Sequence, residues 1–99
     1  MNYSLIYHDK VETDIEDAYQ WYEGKQEGLG DRFFTEIAVC CARVKEHPEY
    51  YSKIGKSLRK VLLDHFPYIV TFEIIGSTIF VYAVFHTSRD PKEISKRMK

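Results

Sequence analysis

Residues 57–85 read SLRKVLLDHFPYIVTFEIIGSTIFVYAVF, and the period of this stretch decides the fold. Three runs, 58–63, 68–75 and 78–85, repeat with period two and are rich in Val, Ile, Phe and Tyr, which predicts strands. Gly76-Ser77 links the second run to the third and suits a type II′ hairpin, because Gly tolerates a positive φ at the first turn position. Asp64-His65-Phe66-Pro67 joins the first two runs. The second and third runs are apolar on both faces, with Tyr68, Val70, Phe72 and Ile74 on one side and Ile69 and Ile75 on the other. Strands buried on both sides sit centrally in a sheet.

Upstream the period lengthens. After a short alternating segment, Tyr3 to Tyr7, Asp9 offers an N-cap with Glu12 three positions later, and Val11, Ile15, Ala18, Tyr19 and Tyr22 recur at helical spacing. The spacing predicts a helix over about residues 10–26, whose early acids suit the helix dipole. Gly28-Leu29-Gly30 reads as a short connection. A second helix is expected from near Asp31, with Phe33, Phe34, Ile37, Ala38, Cys41 and Val44 as its apolar stripe, ending before Pro48. So short a link makes the two helices nearly antiparallel. Residues 49–56 lack a period and read as a loop, and the tail returns to helix at Asp90, with Pro91 at N1 and Glu93 at N3. The expected class is α+β: a small antiparallel or mixed sheet in the order β-α-α-β-β-β, a short C-terminal helix, and a helical hairpin packed on one face. The other face is expected to stay partly open and to meet a partner.

Ninety-nine residues suffice for one domain, spanning 1–99. No apolar run approaches the roughly 18 residues of a membrane helix, and no basic stretch precedes a hydrophobic one at the start. Cys40 and Cys41 are adjacent on a predicted helix, where neighbouring side chains diverge, so a bridge between them would be strained and a reducing cytoplasm is the expected compartment. The net charge of −1 conceals an asymmetry: residues 1–49 carry eleven acids against five bases, whereas residues 50–99 carry four against nine. The basic half could face an anionic partner, or the two faces could simply keep the chain soluble.

His8, His47, His65 and His86 are scattered, and the adjacent cysteines lack zinc-knuckle spacing, so no metal and no cofactor is expected. Phosphate-binding glycine loops and nucleophile elbows are absent. The richest cluster is Tyr82, His86 and Arg89. On a regular strand Tyr82, Val84 and His86 share a face, and Arg89 follows in the next turn. Arg59 and His65 are further candidates on the same sheet. Cleavage of RNA by its own 2′-hydroxyl needs a base, an acid and a cation at the phosphate, roles that Arg59, Tyr82, His86 and Arg89 with His65 have the chemistry to fill. The plainer alternative has His86 closing a strand end, Arg89 pairing with Asp90 or Glu93, and Tyr82 in the core.

Gly28-Leu29-Gly30, Phe33-Phe34, Pro48, Leu58-Arg59, Phe66-Pro67-Tyr68, the run from Ile79 to Val84, and His86 with Arg89-Asp90-Pro91 together resemble the RelE/ParE superfamily of type II toxin–antitoxin toxins. The resemblance covers almost the whole chain, and its most specific part is Phe-Pro-Tyr followed by His-Thr-Ser-Arg-Asp-Pro. It implies a cytoplasmic toxin of bacteria or archaea, bound and blocked by the flexible segment of a cognate antitoxin. An exposed apolar groove between helical hairpin and sheet, filled by a partner segment that folds on binding, would account for the many aromatics, with self-association through the same surface as the alternative when that partner is missing. RelE-like members cut messenger RNA on the ribosome and are usually strongly basic, with a catalytic Tyr or His near the C-terminus. ParE-like members poison DNA gyrase and lack that set. A slightly acidic chain with no Tyr after His86 is expected to be ParE-like and not an enzyme. The alternatives are a metal-independent endoribonuclease using Arg59, His86 and Arg89, with Tyr82 or His65 assisting, and a non-toxic remnant that only binds an antitoxin.

Overall fold

The alternating stretch forms three consecutive antiparallel strands in the computed structural model, which describes residues 2–90, 92–93 and 96–98. The elements are β1 (Ser4–Tyr7), α1 (Val11–Lys25), α2 (Leu29–Glu46), β2 (Lys53–Ile54), β3 (Leu58–Leu62), β4 (Tyr68–Ile75) and β5 (Thr78–His86), with 3-10 turns at Pro48–Tyr50 and Lys96–Met98. The sheet is mixed, in the order β1-β5-β4-β3-β2, with β1 parallel to β5 and every other pair antiparallel. The predicted α+β architecture with a helical hairpin is therefore the observed one. Gly76 takes the positive φ (60°) that the two-residue hairpin requires, and Ser77 does not. The segment read as a loop contains a turn of 3-10 helix and the two-residue β2.

Two local expectations are corrected. Asp9 does not cap α1: the cap position is Lys10, whose N–H donates to Nδ1 of His8 at 3.1 Å, while the N–H of Val11 donates to the His8 carbonyl. The second helix starts at Leu29, so the link is only Gln26 to Gly28. Glu23 makes this tight link workable. Its carboxylate accepts the N–H of Gly28 and the N–H of Gly30, both at 2.9 Å, and so satisfies amides at the start of α2 that have no partner within the helix. At the C-terminus, Asp90 Oδ1 accepts the N–H of Lys92 at 2.9 Å, and Lys92 and Glu93 are helical, whereas Pro91 lies outside the described residues.

Burial follows the sheet's two faces. Val70, Phe72, Ile79, Val81 and Val84 pack with Val11, Ala18, Phe33, Ile37 and Val44 in one core between hairpin and sheet. Phe33 is fully buried, and Tyr22, on α1, stacks on it at 5.5 Å while meeting Phe66 edge-on at 4.9 Å. Rings from both helices and from the β3–β4 turn thus lock the hairpin to the sheet. On the other face Ala83 and Phe85 form a smaller cluster with Ile69, and Thr71 is also buried. That face stays partly open: Leu62 and Ile75 are exposed, and Glu73 and Tyr82 are only partly buried.

A β-bulge separates the two registers of β5. Phe72 is opposite Val81 and Thr71 is opposite Ala83, which leaves Tyr82 as the extra residue. Beyond Tyr7 the chain also leaves the edge of β5, the last rung being the His8 N–H on the Val81 carbonyl at 2.8 Å. Side chains take over from there. Asp14 accepts the N–H of Val84 at 3.1 Å, and Arg97 donates to the Tyr82 carbonyl at 3.1 Å. Arg97 and Asp14 are joined through two bonds of 2.6 and 2.9 Å, with side chains only 13% and 11% exposed.

Two stability predictions follow from this packing. A Cβ on Gly30 would lie 2.8 Å from the Tyr19 carbonyl oxygen, so Gly30→Ala is expected to destabilise the protein by about 1–3 kcal/mol, whereas Gly24→Ala, in open space within α1, is expected to stabilise it by up to about 1 kcal/mol. Urea denaturation giving both variants the same sign would contradict this. Arg97→Ala strands a nearly buried carboxylate and is expected to cost about 3 kcal/mol, with Arg97→Lys recovering little because an ammonium cannot reproduce the two-pronged pairing.

Candidate functional site

The five residues singled out by sequence do not converge. Arg59 is opposite Phe72 in the ladder and therefore lies on the hairpin face, where its Nη1 donates to the carbonyls of Tyr51 (2.6 Å) and Glu49 (3.2 Å). It pins the 3-10 turn to β3. Tyr82 lies on the opposite face and donates its hydroxyl to Glu73 at 3.0 Å, while Ser57 hydrogen-bonds the other oxygen of that carboxylate. Burial, reinforced by the bond to Glu73, raises the Tyr82 phenol above its ordinary value and keeps it a proton donor.

His86 does not share a face with Tyr82. The bulge inverts the alternation, so Val84 joins the hairpin-side core and His86 packs edge-on against Tyr68 at 5.4 Å, with its Nδ1 accepting the Ser88 N–H at 3.0 Å. Arg89 is adjacent: its N–H donates to the His86 carbonyl, and its guanidinium pairs with Glu93 at 3.2 Å. His65 is held by Glu36 of α2, which accepts its backbone N–H at 2.7 Å and lies 3.1 Å from its ring. His86 and Arg89 are thus brought together, Tyr82 is turned away from them, and Arg59 and His65 are each tied to other parts of the fold.

A sizeable groove lies elsewhere. It has a volume of about 1040 Å³ and runs between β1, α1 and α2, floored by Leu5, Val11, Ile15 and Ile37. Phe34 (54% exposed) and Tyr7 (46%) also line it, and the carboxylates of Asp9, Glu12 and Glu16 stand along the α1 side. Its β1 wall is also an open sheet edge. Ser4 and His8 direct their N–H groups to β5, so strand alternation turns the backbone groups of Leu5 and Tyr7 outward. Sequence reading named Phe34 and Cys41 only as a helix stripe. A signal was available, since that stripe carries more large apolar residues than one packed face needs.

Cys41 also lines this groove, and Cys40 lines a second one of about 550 Å³ between α2 and β3. Burial pushes the Cys40 thiol up to about 12, with the neighbouring Cys41 adding to the shift, and burial raises Cys41 as well. Burial, with Cys41 close by, also pushes the Tyr7 phenol up to about 12. Thiols held protonated are poor nucleophiles and poor metal ligands. No group of His, Cys, Asp and Glu suited to a metal ion occurs among the described residues. No helix among them is long and apolar enough to cross a membrane.

Comparison with known proteins bears on the whole chain. A family model for the ParE toxin of the type II toxin–antitoxin system parDE matches residues 5–91. Toxin ParE2 of Mycobacterium tuberculosis is 24% identical over 95 residues, which cover 95% of this chain and 90% of that protein. Among solved structures, a chain of the chromosomal ParDE system from P. aeruginosa superposes with a TM-score of 0.74 at 16% identity, covering 85% of this chain and 95% of its own. A mutant of E. coli toxin RelE in the free state superposes with a TM-score of 0.68 at 16% identity, covering 98% and 94%.

The thiol environments are open to a direct check. Iodoacetamide at pH 8 is expected to modify Cys40 at least about a hundredfold more slowly in the native protein than in urea, as read by mass spectrometry. Comparable rates in both states would mean that the thiol is neither buried nor protonated as described.

Proposed function

The chain belongs to the ParE toxin family of type II toxin–antitoxin systems, and from that membership we propose that it arrests growth by poisoning DNA gyrase and is neutralised by a cognate antitoxin seated in the groove between β1, α1 and α2. Support for a non-enzymatic toxin comes from one observation above all: the base, acid and cation singled out in the sequence do not meet at one point, since Arg59, His65 and Tyr82 lie apart from the neighbours His86 and Arg89. Metal-free cleavage of RNA needs those three groups around a single phosphate. Arg59 and Tyr82 lie on opposite faces of the sheet, and the guanidinium of Arg59 is already bonded to two main-chain carbonyls. The groove supports the antitoxin part of the reading. It exposes large apolar side chains and unpaired strand edge together, the combination that a segment folding on binding would cover.

His86 and Arg89 keep a second reading in view, that of a ribosome-dependent endoribonuclease, because they are neighbours at the end of β5. One pair of experiments separates the readings. Purified chain added to bacterial gyrase and supercoiled DNA is expected to accumulate covalent cleavage complexes, and unaffected gyrase at excess toxin would refute the proposal. Mapping RNA 5′ ends within minutes of induction is expected to show no new ends inside codons. Such ends, lost in His86→Ala and Arg89→Ala, would establish the ribonuclease instead. Unimpaired growth on expression of the chain alone would leave only antitoxin binding.

A further inference from the structure

We propose that the groove between β1, α1 and α2 selects a basic amphipathic segment, with apolar side chains seated between the helices and Lys or Arg residues set against Asp9, Glu12 and Glu16. The proposal rests on reading this groove as the antitoxin's seat and adds the chemistry by which a partner is chosen.

Several acids of the hairpin are already engaged. Asp14 is neutralised by Arg97, and Glu23 is spent on the amides of Gly28 and Gly30. Asp31 accepts the hydroxyl of Tyr19. Asp9, Glu12 and Glu16 differ from these: among the described residues none has a cationic partner, and Glu16 accepts only the Gln20 amide. Glu12 and Glu16 are one helical turn apart, and Asp9 precedes them by three residues, so the three carboxylates form a row along one wall.

The facing wall is uncharged. It consists of Phe34, Ile37, Ala38, Cys41 and Ala42 of α2. A row of negative charge beside a low-dielectric apolar surface focuses the field into the space between them. An acidic occupant would meet like charge there and a neutral one would leave the row uncompensated, whereas a segment with spaced cations gains on both counts. Small Ala38 and Ala42 also let an occupant's backbone come close to α2. The volume, about 1040 Å³, lies at the upper limit of small-molecule pockets, and the groove is continuous with the open backbone edge of β1, so a peptide chain fits it better than a metabolite. The acidity of residues 1–49 thereby acquires a use beyond solubility: it marks the partner-binding half of the chain.

The test is selection from a displayed random-peptide library on the purified full-length chain, followed by affinity measurement of the recovered peptides as fluorescein conjugates. The expected sequences combine apolar residues with Lys or Arg. Their affinity should fall at least about tenfold in the Asp9→Asn/Glu12→Gln/Glu16→Gln variant and on raising salt from roughly 50 to 500 mM, and binding should be lost in Phe34→Asp. The three carboxylates are solvent-facing, so circular dichroism of the triple variant should match the parent. Neutral or acidic peptides that still need Phe34 would overturn the charge proposal while leaving the groove as the seat. Peptides that bind Phe34→Asp unchanged, or the recovery of none, would overturn the seat and the proposal with it.

Discussion

β5 has two backbone edges, and only the one facing β4 is paired along the whole strand. On the other side β1 supplies four residues of parallel partner and then departs into α1, leaving the second half of β5 with donors and acceptors that must be met in a buried setting. Unmet backbone groups of this kind are rare in folded proteins because each costs about as much as a lost hydrogen bond. The fold meets them with Asp14 on the Val84 N–H and Arg97 on the Tyr82 carbonyl, and then joins those two side chains to each other. The placement of α1 over β5 and the return of the C-terminal segment to the sheet both follow from that demand.

The same strand governs the chemistry. One additional residue at Tyr82 inverts the sidedness of everything after it, so a phenol and an imidazole four residues apart end on opposite faces. The five candidate residues are spread over both faces of the sheet and the turn after β3, with only His86 and Arg89 side by side. Tyr82 instead completes a surface network with Glu73 and Ser57, and His86 closes the end of β5 against Tyr68.

The hairpin shows a similar division of labour. Its acids look interchangeable in composition, yet Glu23 fastens the link between the helices, Asp14 fastens the sheet edge, and Asp9, Glu12 and Glu16 have no cationic partner among the described residues and stand beside an apolar groove. Gly30 belongs to the same arrangement: only a residue without Cβ lets α2 begin so close to the Tyr19 carbonyl. A tight hairpin in turn holds the two helices at the spacing that leaves a groove along β1.

Much of this was legible in the sequence, because it depends on near neighbours along the chain. Alternation from 58 to 85, the positive φ expected and found at Gly76, the two helical stripes and the α+β class all follow from local periodicity, and the Phe66-Pro67-Tyr68 turn with His86 and Arg89 carried the likeness to RelE/ParE toxins. The pairing of β1 with β5, the bulge at Tyr82, the reach of Arg97 across 83 positions to Asp14 and the position and acidic lining of the groove came only with the tertiary structure. The reason is physical: the period of a segment states which of its side chains are to be buried, but which distant group satisfies a remaining donor, acceptor or charge is settled only when the elements pack and the unmet groups of one are brought against those of another.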